Sequence, residues 1–497
     1  MRSCSTRVAP WVLIALGAAC LPQNPGGSGG SSTTDAADST GDDTDDGPAA
    51  GGELLGCPAT GCTMVLVAQT LDDRVEVFVP DHPEAIYRGG VDLDLKPNEC
   101  AGCGPGDNGA GRLDEPFGLA RSGGFLHVLV GHYPTRQEGS LVSFPLSFFE
   151  GYTQGSLVPT ADFFAGSQFT APVIGRSLGQ VEPIFLHEHT SGRIIVGVFN
   201  NDLFAGEDTW TQAGRLLVFD ATDPSGEVGE VTLDALGGGD VCQGASQVLD
   251  AGNDELAIAC DGNEAIAFVD ASSVGAGSVA DAATSLGTGS LCTLPGAMPG
   301  KRVRYLAPDG SGGVVVGEGP TPLDIQANAR LWRLGSDCSV LGNADLSSVG
   351  SAGDWQLGEI VQLPASTPTW LFASGSALPA GLRGVFAAYV DNGTLAFCDA
   401  PVAGLDASWD DGNAGVLEPF ALDVTSDGSQ FAVGAGPLSA DPAGIGYGKV
   451  LWGSLSGADP CSLSATVVDL TDGGPGHAPA PIAADVSTYR RGPSVAV

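Results

Sequence analysis

The chain has 497 residues, 75 of them glycine and 33 proline, with 43% hydrophobic and only 16% charged residues. Its formal net charge of −39 excludes nucleic acid as a partner, because phosphate binding needs a basic stripe. The same charge excludes adsorption to anionic lipid head groups, and it is otherwise what keeps a surface soluble.

The N-terminus reads as an export signal. Arg2 and Arg7 form a positive n-region, and Val8 to Ala19 is an apolar run too short to span a bilayer. Gly17, Ala18 and Ala19 satisfy the small-residue rule for cleavage. The stretch LGAAC also resembles a bacterial lipobox, although Leu16 stands four residues before the cysteine rather than three. Such a box implies lipid attachment at Cys20 and a membrane-anchored lipoprotein of the cell envelope; plain cleavage implies a periplasmic or secreted protein. We assign residues 1–19 to the signal peptide.

Residues 20–52 carry Asp35, Asp38, Asp42, Asp43, Asp45 and Asp46 among Gly and Ser, with no basic residue. Such a segment cannot bury enough apolar surface to fold and reads as a disordered acidic linker. Residues 53–497 are expected to form a single domain. No later run of 18 uninterrupted apolar residues occurs, so membrane contact is expected only through the anchor.

Within that domain one strand-like run recurs about every 60 residues. It reads MVLVAQ at Met64, LHVLVG at Leu126, RIIVGV at Arg193, ELAIAC at Glu255, GVVVGE at Gly313, WLFASG at Trp370 and FAVGAG at Phe431. A second piece follows each: RVEVFV, GSLVSF, GRLLVF, EAIAFV, ARLWRL, GTLAFC and GKVLWG. Several units are preceded by a third, EPFGLA at Glu115, EPIFLH at Glu182 and EPFALDV at Glu418. Proline is tolerated at the first residue of a strand. The pattern predicts an all-β fold, a seven-bladed β-propeller with six or eight blades as alternatives. The first unit lacks its own first strand. PIAADV, from Pro481 to Val486, matches PFALDV and is expected to complete it, closing the ring from the C-terminus.

The Pro-x-x-Leu strand, a short turn (TSDG, HTSG), then L-x-V-A or L-x-V-G and V-x-V-F together resemble YVTN and NHL-like repeat propellers, over about Met64 to Val486. The resemblance implies architecture and is silent on activity.

Ten cysteines follow the leader: Cys57, Cys62, Cys100, Cys103, Cys242, Cys260, Cys292, Cys338, Cys398 and Cys461. An even set behind an export signal predicts disulfides. Local pairs are expected: Cys57 with Cys62, Cys100 with Cys103, and Cys242 with Cys260. For Cys100 and Cys103, a redox pair or a zinc half-site with Cys57 and Cys62 are the alternatives.

Candidate functional residues fall into three groups. With the Pro-x-x-Leu strand innermost, the long connections between second and third strands share one face. They present Tyr133, Arg136, Phe204, Trp210, Tyr389 and Tyr447, residue types enriched at recognition hot spots. Glu115, Glu182 and Glu418 precede the strand prolines and are expected at the channel mouth, where converging carboxylates could hold Ca²⁺. His187 and His189, two apart on a strand, face the same way and could meet one metal, but no third ligand is evident. No Gly-x-Ser-x-Gly elbow and no Walker loop occurs, and no catalytic residue is assigned. The sequence therefore predicts a monomeric, non-catalytic binding module for a protein or small ligand, with no cofactor assigned beyond possible Ca²⁺. A calcium-dependent hydrolase resembling propeller lactonases and a structural envelope protein are the alternatives.

Overall fold

A computed structural model describes residues 63–69, 74–81, 87–92, 115–132, 137–149, 174–181, 183–198, 213–295, 301–320, 329–346, 355–376, 383–405, 417–437, 449–470 and 494–496. Contacts divide the chain into Met1–Gly52 and Glu53–Val497, and the described residues all belong to the second unit. Among them no helix is long and apolar enough to cross a membrane.

The fold is a β-propeller of antiparallel sheets. Strands β1 (Val65–Gln69), β2 (Arg74–Phe78) and β3 (Tyr87–Asp92) begin the first sheet. Blade A follows with β4 (Glu115–Ser122), β5 (Phe125–His132), β6 (Gln137–Pro145) and β7 (Ile174–Val181). Blade B has β8 (Pro183–His189), β9 (Arg193–Val198), β10 (Arg215–Asp220) and β11 (Gly229–Thr232). Blade C has β12 (Ala245–Gly252), β13 (Glu255–Cys260), β14 (Ala265–Asp270) and β15 (Gly289–Thr293). Blade D has β16 (Lys301–Pro308), β17 (Gly313–Pro320), β18 (Arg330–Gly335) and β19 (Val340–Asp345). Blade E has β20 (Trp355–Leu363), β21 (Thr369–Ser376), β22 (Arg383–Asp391), β23 (Thr394–Phe397) and the short β24 (Ala403–Gly404). Blade F has β25 (Leu417–Val424), β26 (Gln430–Pro437), β27 (Lys449–Ser456) and β28 (Ser464–Asp469).

The seven blades expected from the repeat are therefore corrected to six self-contained ones, each one continuous piece of chain. The seventh copy of the repeat is not self-contained. It makes a composite sheet in which β29 (Ser494–Ala496) pairs antiparallel with β1, setting Leu66 opposite Ala496 and Ala68 opposite Ser494. The C-terminal strand does complete the first unit, but it is Ser494–Ala496 that does so; PIAADV lies outside the described residues. Strand β29 touches β4 on one side and β25 on the other, so it fills the gap between the inner strands of blades A and F.

One apolar cluster fills each seam. Val65 and Val67 of β1 pack with Ala432, Val450 and Trp452 of blade F, while Leu66 packs with Leu126, Val128 and Val142 of blade A. Alternate residues of one strand serve two neighbouring seams. That is why these strands read as unbroken apolar runs rather than as an apolar and polar alternation.

The connection after β14 forms helix α1 (Val279–Ser285), started by a capping box between Ser278 and Asp281. Its buried Val279, Ala282 and Ala283 lie along β11 of blade B. Gly229 on β11 admits this approach, since a Cβ there would strike the Val279 carbonyl. The helix covers what would otherwise be an open sheet edge.

In blades D and F the turns between first and second strands are held by aspartates. Asp427 accepts from Ser429 N–H, Ser429 Oγ and Thr425 Oγ, and these bonds lower its carboxyl to about 2. Burial pushes the Asp309 carboxyl up, but bonds from Ser311 and Gly313 and the Arg333 guanidinium at 3.1 Å outweigh it and leave it lowered.

Three disulfides occur among the described residues. Cys242–Cys260 joins the entrance of blade C to the end of β13, the pairing expected from the sequence. Cys292–Cys338 links β15 of blade C to the β18–β19 turn of blade D, and Cys398–Cys461 links blade E to blade F. The last two staple neighbouring blades, which spacing along the chain does not disclose. They accord with an oxidising, exported environment. Cys57, Cys62, Cys100 and Cys103 lie outside the described residues.

One strand assignment is corrected. In blade E the third strand is β22, RGVFAAYVD, and GTLAFC holds the fourth, β23. The two meet across Asn392 (φ 49°) and Gly393 (φ 84°), a left-handed pair that closes a tight hairpin. The glycine that opens GTLAFC, Gly393, therefore turns the chain from the third strand into the fourth.

Candidate functional site in the central channel

The inner strands β4, β8, β12, β16, β20 and β25 surround a cavity of about 600 Å³. Each bonds to its own blade along one edge and turns the other edge toward the channel, so part of the wall is backbone amide. All six carry a β-bulge at the same level, between Pro116 and Gly118, Pro183 and Phe185, Ala245 and Val248, Val303 and Tyr305, Leu357 and Ile360, and Pro419 and Ala421. Bulges re-aim the side chains beside them.

Within the bulges of blades C and E, side chains cross the seams. Gln247 of β12 accepts from Leu306 N–H at 2.6 Å and donates to Leu306 O at 3.2 Å. Glu359 of β20 accepts from Leu422 N–H at 2.9 Å. Both therefore cap a channel-edge amide of the next blade. Leu186 of β8 occupies the corresponding ladder position, opposite Val196 as Leu306 is opposite Val316 and Leu422 opposite Val433. The residue facing it from blade A is Gly118, which has no side chain to offer. An ideal Cβ there would lie 3.5 Å from Leu186 N.

His187 follows Leu186 and lines the cavity; its Nε2 is buried without a hydrogen-bond partner. Burial, reinforced by His189 and opposed by Asp250, lowers the imidazole to about 4, so it is neutral at pH 7. His189 accepts at Nδ1 from Ser191 Oγ (2.7 Å) and Ser191 N–H (3.2 Å). The two rings are 6.5 Å apart between centroids, edge to face. Among the described residues no group of three or more His, Cys, Asp or Glu side chains is arranged to hold a metal.

The remaining polar lining mixes signs. Arg121 contributes a cation, Glu188, Glu359 and Asp423 contribute carboxylates, and Gln362 contributes an amide. Arg121, Glu188 and Gln362 close the inner strands just before the turns to the second strands, so the cavity runs toward that face of the ring.

The residues expected at the loop-rich face have a different fate. Tyr133, Arg136, Phe204, Trp210 and Tyr447 lie outside the described residues, as does Glu182. Glu115 and Glu418 lie on β4 and β25, opposite Gly131 and Gly436, with side chains outside the description. Tyr389 is corrected: it sits on β22, paired with Thr369 and Ala396, and packs half-buried against the seam between blades E and F. It was expected in a loop because β22 itself reads as loop when GTLAFC is taken for the third strand. Gln247, Glu359 and Gly118 were missed. Their signal is their place directly before the apolar residue (Val248, Ile360, Leu119) that recurs in each inner strand.

No protein-family model and no curated protein matches the chain. Solved structures resemble it at low identity. A streptogramin B lyase structure is 11% identical, with TM-score 0.40, over 84% of this chain and 93% of that chain. An ancestral GH74 enzyme is 10% identical, with TM-score 0.46, over 82% and 45%. The structure of U3-55K is 9% identical, with TM-score 0.42, over 75% and 84%. At this level they assign no activity.

Proposed function

We propose that the protein is an exported, non-catalytic binding propeller that holds a small ligand in its central channel. In this reading the head is a closed ring of YVTN/NHL-like units, carried as a monomer on the acidic tether from a lipid anchor at Cys20. The observation that supports it is the cavity of about 600 Å³, whose volume falls in the range of small-molecule sites and whose wall combines apolar strand residues with a few converging polar groups. Among the described residues that line it, no nucleophile, general base and orienting group come together, and on this we base a binding rather than a chemical role.

The test is capture. Wild-type protein and a Val424→Trp variant, which narrows the channel, are incubated with a small-molecule extract and washed, and the retained compounds are weighed by mass spectrometry. A compound retained only by wild-type protein and released unchanged in mass supports the reading. A compound released as a reaction product overturns the non-catalytic part. Equal retention by a folded variant overturns the channel part.

A further inference from the structure

We infer that the channel selects a neutral polyhydroxyl ligand, whose hydroxyl groups engage the edge amide of Leu186 and the imidazole of His187. This rests on the channel reading above and names the ligand class it takes.

The first support is a seam that lacks a device present at two others. In blades D and F the channel-edge amides of Leu306 and Leu422 are capped by Gln247 and Glu359 from the preceding blade. In blade B the capping position is Gly118, and only ordinary contacts surround its missing Cβ: Leu186 N at 3.5 Å, with Leu129 Cβ and Leu186 Cγ at 3.7 Å. The result is room for a Cβ beside an edge N–H, at a position that lines the cavity. An acceptor oxygen from a ligand takes the place that the Gln247 carbonyl takes two seams away.

The second support is His187, the next residue on the same strand. It lines the cavity, and its buried Nε2 lacks a partner. Leaving a buried polar atom unsatisfied is costly, and such atoms in a folded protein call for an explanation. The rest of the His187 ring is partly exposed to the cavity, and a ligand hydroxyl, which both donates and accepts, supplies the missing bond once the ring turns Nε2 toward it, whichever tautomer is present.

The third support is the charge of the wall. An organic cation entering the channel meets Arg121 and the outward amide of Leu186, both positive poles. An anion meets Glu188, Glu359 and Asp423. Hydroxyls pair with carboxylates, guanidinium and amides alike, so a neutral polyol leaves no group opposed. Leu119, Leu186 and Leu249 give its C–H faces an apolar wall.

The experiment is calorimetric titration of the full-length protein with a panel of neutral, amino and uronic-acid disaccharides, with spermidine and citrate as charged probes. It is repeated on Gly118→Gln and His187→Phe. A neutral disaccharide is expected to bind at one site, at least tenfold more weakly in Gly118→Gln, while the melting temperature of that variant holds or rises because the new amide caps Leu186. His187→Phe is expected to weaken it too; should that variant fail to fold, Gly118→Gln carries the test. Binding of spermidine or citrate alone, neutral binding indifferent to Gly118→Gln, or binding of no probe overturns the proposal. A charged compound that wild-type protein retains in the capture experiment and Gly118→Gln loses sinks the polyol class and leaves the channel reading standing. Retention of nothing by wild-type protein sinks both.

Discussion

Gln247 and Leu306 are 59 residues apart in sequence and joined by two hydrogen bonds, the side-chain amide of one mirroring the backbone amide of the other. This clamp ties the inner strand of blade C to that of blade D where no ladder bond can reach. Gln247→Ala leaves the Leu306 N–H without its cap, at a cost of about 1–3 kcal/mol. Chemical denaturation is expected to show a lower midpoint with an unchanged slope. An unchanged midpoint would mean that channel water replaces the amide fully.

The two staples between blades act on the unfolded chain. Cys292–Cys338 and Cys398–Cys461 close loops of 46 and 63 residues, and the chain-entropy account gives about 4 kcal/mol for each. Replacing both cysteines of one pair by serine is expected to lower the melting temperature, and a reductant should lower it further through the remaining pairs. A double serine variant as stable as wild type would show that the apolar seams alone hold these blades together.

Acid should loosen the ring through its buried histidines. His127 on β5 is fully buried, donates from Nε2 to Ser122 O and meets Ser143 Oγ at 2.8 Å through Nδ1. Burial lowers it from 6.5 to about 4, against the opposing bonds to Ser122 and Ala221. Its folded value lies below its unfolded one, so its contribution is complete above pH 6.5 and is lost as pH falls through about 4. The stabilisation at stake is on the order of 3 kcal/mol. Stability measured from pH 7 to pH 4 is expected to fall, with a shallower slope in a folded His127→Gln variant. An identical slope in that variant would assign the loss to other groups.

Ring closure depends on three residues. Removing residues 493–497 takes away β29, leaving the inner edge of β1 unpaired and the gap between the inner strands of blades F and A open. A lower melting temperature and a tendency to self-associate are expected in light scattering. A monomer with an unchanged transition would show that β29 is dispensable.

The tether leads to one cellular expectation. With lipid at Cys20, native protein partitions into detergent and Cys20→Ser moves it to the aqueous phase. Native protein already in the aqueous phase would mark simple export.

Much of the architecture was legible before any coordinates. The runs at Met64, Leu126, Arg193, Glu255, Gly313, Trp370 and Phe431 all became second strands, because a strand buried on both faces must be apolar throughout. The glycine of Asn392–Gly393 was read one strand too early, because a tight turn looks alike wherever it falls in the unit. Cys242–Cys260 was legible as a close pair, whereas Cys292–Cys338 and Cys398–Cys461 join blades whose adjacency only the ring creates.

The sequence by itself determined the repeat, its strand-rich composition and the need for a partner strand at the first unit, since periodicity and burial are local properties of the chain. Only the tertiary structure decided that Ser494–Ala496 is that partner. It also decided that Gln247 and Glu359 cap edge amides of the next blade, and that Gly118 sets no side chain against Leu186 beside His187. Each of these is a meeting of residues about 60 positions or more apart, and which edge faces the channel is fixed only when the blades close around it.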